Sequence, residues 1–213
     1  KNQAFKVNTK GTEHIVEICR KKNIPLVFTS TSAIFNGKSR VPYVEFDKPD
    51  PANYYAQTKL EAEKAVKGLD DFVIVRLGWL IGKQRKFLYY ILKQIQENAP
   101  EIRAVSDIKG TITYAYDAVR FLDVVLKNKE EGIFHLASIG SCTRYELARR
   151  IVYISGSKIK VIPVLNKEFS KLYPAPRPRN ESIKSARRIP NFEKIGGWKQ
   201  TILDIERIEG LKL

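Results

Sequence analysis

The chain of 213 residues carries 38 Lys and Arg against 23 Asp and Glu, a formal net charge of +15, with 43% apolar residues. That is enough for one large domain, or a domain with a small appendage, and no apolar run is long enough to cross a membrane. Two cysteines outside any paired spacing (Cys19 and Cys142) and no apolar stretch behind Lys1 argue against a disulfide framework, a structural zinc site or a signal peptide, so a reducing cytoplasm is expected.

Residues 3–22 read as a helix, with Ile15, Val16, Ile18 and Cys19 forming an apolar stripe. Ile24 to Thr29 is a short buried strand, and 33–52 a long loop with Asn36-Gly37 and Pro42, Pro49 and Pro51. Asn53 is placed to cap a helix running to about Gly68, with Ala62, Ala65 and Val66 inward. Phe72–Val75 is almost wholly apolar, as a parallel strand covered on both faces must be. Helices near 85–98 and 116–127, a strand at Ile133–Leu136, a helix at 143–154 and a strand at Ile159–Ile162 continue the alternation. A Pro-rich loop and one or two short helices close the chain. Strands alternating with helices at this spacing predict an α/β fold with a mainly parallel, Rossmann-like sheet. Such a sheet opens with a strand and a Gly-rich turn that holds a pyrophosphate. Neither Gly-x-Gly-x-x-Gly nor Gly-x-x-Gly-x-x-Gly occurs, so the N-terminal strands are expected to lie upstream, and the residues as written to bind a dinucleotide poorly.

Eleven basic residues between Lys158 and Lys199 face only Glu168, Glu181 and Glu193. No nucleic-acid motif accompanies them, so steering of a small polyanion or a solvated surface is expected rather than nucleic-acid binding. Transition-metal binding is not expected from two distant histidines, His14 and His135.

Two segments carry chemistry. Val27-Phe28-Thr29-Ser30-Thr31-Ser32 is an apolar run ending in four hydroxyl residues, and Tyr54-Tyr55-Ala56-Gln57-Thr58-Lys59 opens a helix. Positions i and i+4 share a helix face, so Tyr55 and Lys59 present phenol and ammonium together. A neighbouring ammonium favours the phenolate and lowers a pKa that is otherwise near 10. Thr31 is placed to polarise a carbonyl oxygen, and the three together form a proton-donating site for a ketone.

At these residues the chain resembles the extended short-chain dehydrogenase/reductases, and among them the dTDP-4-dehydrorhamnose reductase family. The resemblance runs through Val7-Asn8-Thr9-Lys10-Gly11-Thr12, Thr29-Ser30-Thr31 with Phe35-Asn36-Gly37, Arg76-Leu77-Gly78-Trp79, Asp107 to Thr113, and Pro174-Ala175-Pro176-Arg177-Pro178-Arg179-Asn180. It implies residues 1–140 as part of an NADP-binding domain and 141–213 as mainly a small α/β substrate-binding region. It further implies NADPH-dependent reduction of the 4-keto group of a dTDP-linked deoxysugar. Tyr55 is then the proton donor, Lys59 and Thr29 lie at the cofactor, and Thr31, Ser32, Trp79 and Arg177 face the substrate.

Where the family has Asp-Tyr after Ser-Thr, this chain has Ser32-Ala33, and Ile108 and Ile112 replace a Gln and a Pro. These departures bear on which sugar is taken. A sugar-nucleotide epimerase of the same superfamily, and a non-catalytic regulatory subunit like the β subunit of methionine adenosyltransferase, stay open as alternatives. NADH in place of NADPH, a magnesium ion and a homodimer are left open by the residues.

Overall fold

The computed structural model describes residues 2–82, 86–169, 172, 174–192 and 195–209. Helix α1 (Asn2–Phe5) passes through a π-helical turn at Lys6–Lys10 into α2 (Gly11–Lys22). The turn is tied to the next helix, because the Asn8 amide donates to the Thr58 hydroxyl and the Thr9 hydroxyl to the Thr58 carbonyl, both at 3.0 Å. Val16 and Cys19 are buried, but Ile15 and Ile18 are 47% and 50% exposed, so the apolar stripe is narrower than its sequence suggests. The helix ends at Asn23 in the left-handed conformation, φ 51°.

Strand β1 (Leu26–Thr31) starts two residues later than the apolar run, because Pro25 has no N–H and the Leu26 N–H makes the first contact, to Asp71. A short 3₁₀ turn (Ser32–Ile34) follows, and α3 (Tyr54–Val66) returns the chain to β2 (Phe72–Leu77). Asn53 caps α3 as expected, its Oδ1 accepting from the Ala56 N–H at 2.9 Å. Then come β3 (Trp79–Ile81), α4 (Lys86–Gln96), β4 (Glu101–Val105), β5 (Lys109–Gly110), β6 (Ile112–Tyr114), α5 (Ala115–Lys127) and β7 (Gly132–Leu136). The chain continues with β8 (Cys142–Thr143), α6 (Arg144–Ile154), β9 (Lys160–Val164), β10 (Asn180–Glu181) and α7 (Trp198–Glu209).

The main sheet is parallel, in the order β1-β2-β7, with Thr31 opposite Leu77 and Leu77 opposite Leu136. A further parallel pair, β3 with β6, closes within residues 79–114, while the parallel pair β4 with β9 and a three-stranded sheet in the order β10-β5-β8 join residues 79–114 to residues 142–181. Ile108 and Ile112, which stand where the family has polar or proline residues, are buried.

Between the main sheet and the loop before α3 lies a buried polar network. Arg76 on β2 and Glu63 on α3 are covered completely and paired at 2.7 Å. Arg76 also donates toward the Glu45 carbonyl at 3.5 Å and lies 3.4 Å from His135 Nε2. His135 Nδ1 sits 3.2 Å from two carbonyl oxygens, of Tyr43 and Lys184, so the proton belongs on Nδ1 and the Nε2 lone pair faces Arg76. Burial, with Arg76 in the same direction and Glu45 against it, holds His135 below its ordinary 6.5. Burial works to raise Glu45, yet donors from the Ala186 N–H, the Ser185 hydroxyl and the His135 N–H outweigh it and hold the carboxyl below 4.5. Both groups bind protons more readily in the unfolded chain, so folding loses stability as pH falls, first below 6.5 and again below 4.5. Urea unfolding compared at about pH 7.5 and about pH 5 is expected to show the first loss, and His135→Gln to remove it.

Candidate active site

Because β1 and β2 are parallel, α3 runs back along them, and its N-terminus stands at the C-terminal end of β1. Lys59 reaches across to β1: its Nζ donates to the Thr29 carbonyl at 2.8 Å and lies 3.9 Å from the centre of the Phe28 ring. Tyr55, one turn earlier, is about 6 Å further toward the helix N-terminus. Thr31, two residues beyond Thr29, is about 6.6 Å further along the strand. Tyr55 and Thr31 therefore both lie beyond the Lys59–Thr29 contact, toward the helix N-terminus and the strand end. Tyr55 is 50% exposed. The Thr31 hydroxyl accepts the Ala33 N–H at 3.2 Å, which caps the 3₁₀ turn, while Ser32 is only 2% exposed.

One electrostatic expectation is reversed. Burial pushes the Tyr55 phenol above its ordinary value and pulls the Lys59 ammonium below its own, with Glu63 opposing the latter. The ammonium is engaged with the Thr29 carbonyl and the Phe28 ring, on the β1 side of the helix. Loss of hydration therefore decides both groups.

The second half of the site surrounds Trp79. Its Nε1–H donates to Glu181 Oε2 at 2.7 Å, and the Arg144 guanidinium stacks on it at 4.0 Å while lying 4.6 Å from the Phe87 ring. Gly110 lies against the indole so closely that a Cβ there would stand 2.4 Å from two ring carbons. Glu181 pairs with Gly110, and Gly110 with Cys142, across the β10-β5-β8 sheet. Burial raises the Glu181 carboxyl against the pull of Trp79, Arg177 and Arg144, and burial lowers Arg144 to about 10. Burial also lifts the Cys142 thiol to about 12, leaving it unreactive at neutral pH. Gly110→Ala is expected to displace the indole and cost about 1–3 kcal/mol, read from thermal unfolding and from tryptophan emission.

The Pro-rich loop meets the helix end of the site. Asn53 Nδ2 donates to the Pro176 carbonyl at 3.0 Å, and Gly37 packs on Pro178 and the backbone of Arg179 and Asn180. Arg177, exposed on this loop, acts electrostatically on both Glu181 and Arg144. Thus Trp79 and Arg177, far apart in sequence, share Glu181, while Thr29 and Lys59 meet directly. Sequence reading passed over Glu181 and Arg144. The first directly follows the Pro-Ala-Pro-Arg-Pro-Arg-Asn run, which was the available signal.

A parallel α/β sheet with a Tyr/Lys helix start beside a hydroxyl-rich strand end is the arrangement of the extended short-chain dehydrogenase/reductases. The model of the RmlD substrate binding domain matches residues 1–205, and the chain belongs to that family. It is 32% identical over 165 residues to a dTDP-4-keto-6-deoxy-D-glucose reductase of Streptomyces niveus, covering 75% of this chain and 57% of that protein. The chain thus spans less than two thirds of that relative. A solved dTDP-4-dehydrorhamnose reductase of Yersinia enterocolitica superposes with a TM-score of 0.86 at 32% identity, over 93% of this chain and 71% of that one. The Bacillus anthracis dTDP-4-dehydrorhamnose reductase, solved in complex with NADP, gives 0.88 at 28% identity, over 95% and 72%.

Proposed function

We propose that this chain supplies the proton-donating and sugar-binding half of an NADPH-dependent reductase that converts the 4-keto group of a dTDP-linked deoxysugar to an alcohol. The observation that carries the reading is the Lys59 bond to the Thr29 carbonyl, which ties the start of the Tyr/Lys helix to the hydroxyl-rich end of β1. Relatives named as reductases of dTDP-4-keto sugars, one of them solved with NADP, support the same reading.

The donor set suits a nicotinamide ribose: the Lys59 ammonium carries three N–H donors, and the Thr29 carbonyl takes one. When bound, NADPH supplies the hydride. Tyr55 gives its proton to the oxygen left negative by reduction, and Thr31 holds that oxygen in place through its hydroxyl. The burial that raises the phenol keeps it in the proton-bearing form at neutral pH, the form a donor needs. Ser32, almost wholly covered, begins the 3₁₀ turn that the Thr31 side chain caps. Trp79 and Arg177 face the sugar nucleotide, Arg177 toward its phosphates through a planar fork. We extend the substrate region from 141–213 to include residues 79–114, whose β4 and β5 pair with it.

The complete protein, given dTDP-4-dehydro-L-rhamnose, is expected to consume NADPH, followed by loss of its near-ultraviolet absorbance. Consumption of NADPH unaffected by any nucleotide-linked 4-keto sugar would overturn the reading.

A further inference from the structure

We infer that Glu181 and Arg144 are positioning residues: they clamp the Trp79 indole, and through it they set how tightly the sugar nucleotide is held. The inference rests on the reading of Trp79 as a wall of the sugar site.

The clamp closes on the indole from three directions. Glu181 takes the indole N–H at 2.7 Å, Arg144 covers the ring at 4.0 Å, and Gly110 stands so close that no side chain fits beside the ring. The small sheet explains why these groups converge: Glu181 on β10 lies opposite Gly110 on β5, which lies opposite Cys142 on β8, two residues before Arg144. Phe87, on α4, backs the guanidinium at 4.6 Å. Three segments distant in sequence therefore meet on one ring, and a fourth backs the guanidinium. Glu181 is buried and Arg144 partly so, and the two attract one another electrostatically. Burying a carboxylate is costly unless it is paired and hydrogen-bonded, and Glu181 is held by the indole N–H with Arg144 beside it. Arg177, on the Pro-rich loop, acts on the same two groups, which joins phosphate recognition to the pose of the indole.

A residue acting through Trp79 has a kinetic signature. It alters binding of the sugar nucleotide and leaves proton transfer at Tyr55 alone, so it moves KM and spares kcat. Glu181→Leu is expected to raise KM for the sugar nucleotide about tenfold with kcat within about threefold, and Glu181→Gln, which keeps an acceptor for the indole N–H, to restore most of the loss. In a Trp79→Phe background Glu181→Leu is expected to add nothing, because the two residues act as one unit. Arg144→Met carries the same test should Glu181→Leu fail to fold. The indole ¹H–¹⁵N resonance of Trp79, expected to shift in Glu181→Leu and less in Glu181→Gln, reports the clamp without any turnover.

An unchanged KM, an effect confined to kcat, or full additivity in the Trp79→Phe background would each overturn the inference in an active enzyme. Absence of turnover in the unaltered protein would instead count against the reductase reading, and the indole resonance would still decide whether Glu181 holds the ring.

Discussion

Tyr55→Phe is expected to lower turnover of the complete protein by about 10²–10⁴-fold, the range a single general acid contributes, while leaving thermal unfolding nearly unchanged. Removing one oxygen from a side chain that is half exposed opens no cavity, and the phenol makes no other hydrogen bond among those found for the described residues. KM for the sugar nucleotide is expected to stay within about threefold, because the lost contact acts in the transition state. Steady-state kinetics beside a melting curve make the check. Unchanged turnover would remove Tyr55 as the acid, and a large fall in melting temperature would make it a structural residue.

Glu63→Ala is expected to cost about 3–5 kcal/mol of folding stability, the loss typical when one partner of a buried ion pair is removed. The Arg76 guanidinium is fully buried and meets Glu63 through Nε at 3.1 and 3.3 Å and through Nη2 at 2.7 Å. Its other neighbours, the Glu45 carbonyl and His135 Nε2, are uncharged, so the variant strands a buried cation. Exposed pairs such as Lys10–Glu13 and Lys64–Glu61 differ: water screens them, and their loss is expected to be small. Urea unfolding of Glu63→Ala beside Glu61→Ala decides between the two, and equal losses would reject the buried pair as the larger contributor. Glu63 also supports the charged form of Lys59, so the variant is expected to lower that ammonium's pKa further.

The parts of the molecule that could be read from sequence are those governed by local pattern. The helices around Tyr55, at α5 and at α6 fall within two residues of expectation because caps and apolar spacing act over one or two turns. Thr143 and Glu146 even form the reciprocal cap that their spacing allows. The strands at 79–81, 101–105 and 109–114 were passed over because they are short, and β4 interleaves Glu101 and Arg103 with buried residues. Strand β2 ran past its apolar run to include Arg76, which reads as a strand end until Glu63 is seen beside it. In the candidate site, the meeting of the Tyr/Lys helix with the hydroxyl-rich strand end, shown by the Lys59 bond to Thr29, was legible because i,i+4 spacing and such a strand end are sequence features. The direction of the Tyr55 and Lys59 pKa shifts was not, since burial depends on what packs around them. Glu181 and Arg144 acquire their meaning only when the small sheet brings them to Trp79.

Asn53 divides its amide between two tasks: the oxygen closes the first turn of the helix that carries Tyr55, and the nitrogen tethers the Pro-rich segment at Pro176. The two bonds use different atoms of one amide, so losing the contact to Pro176 would leave the cap of the turn in place.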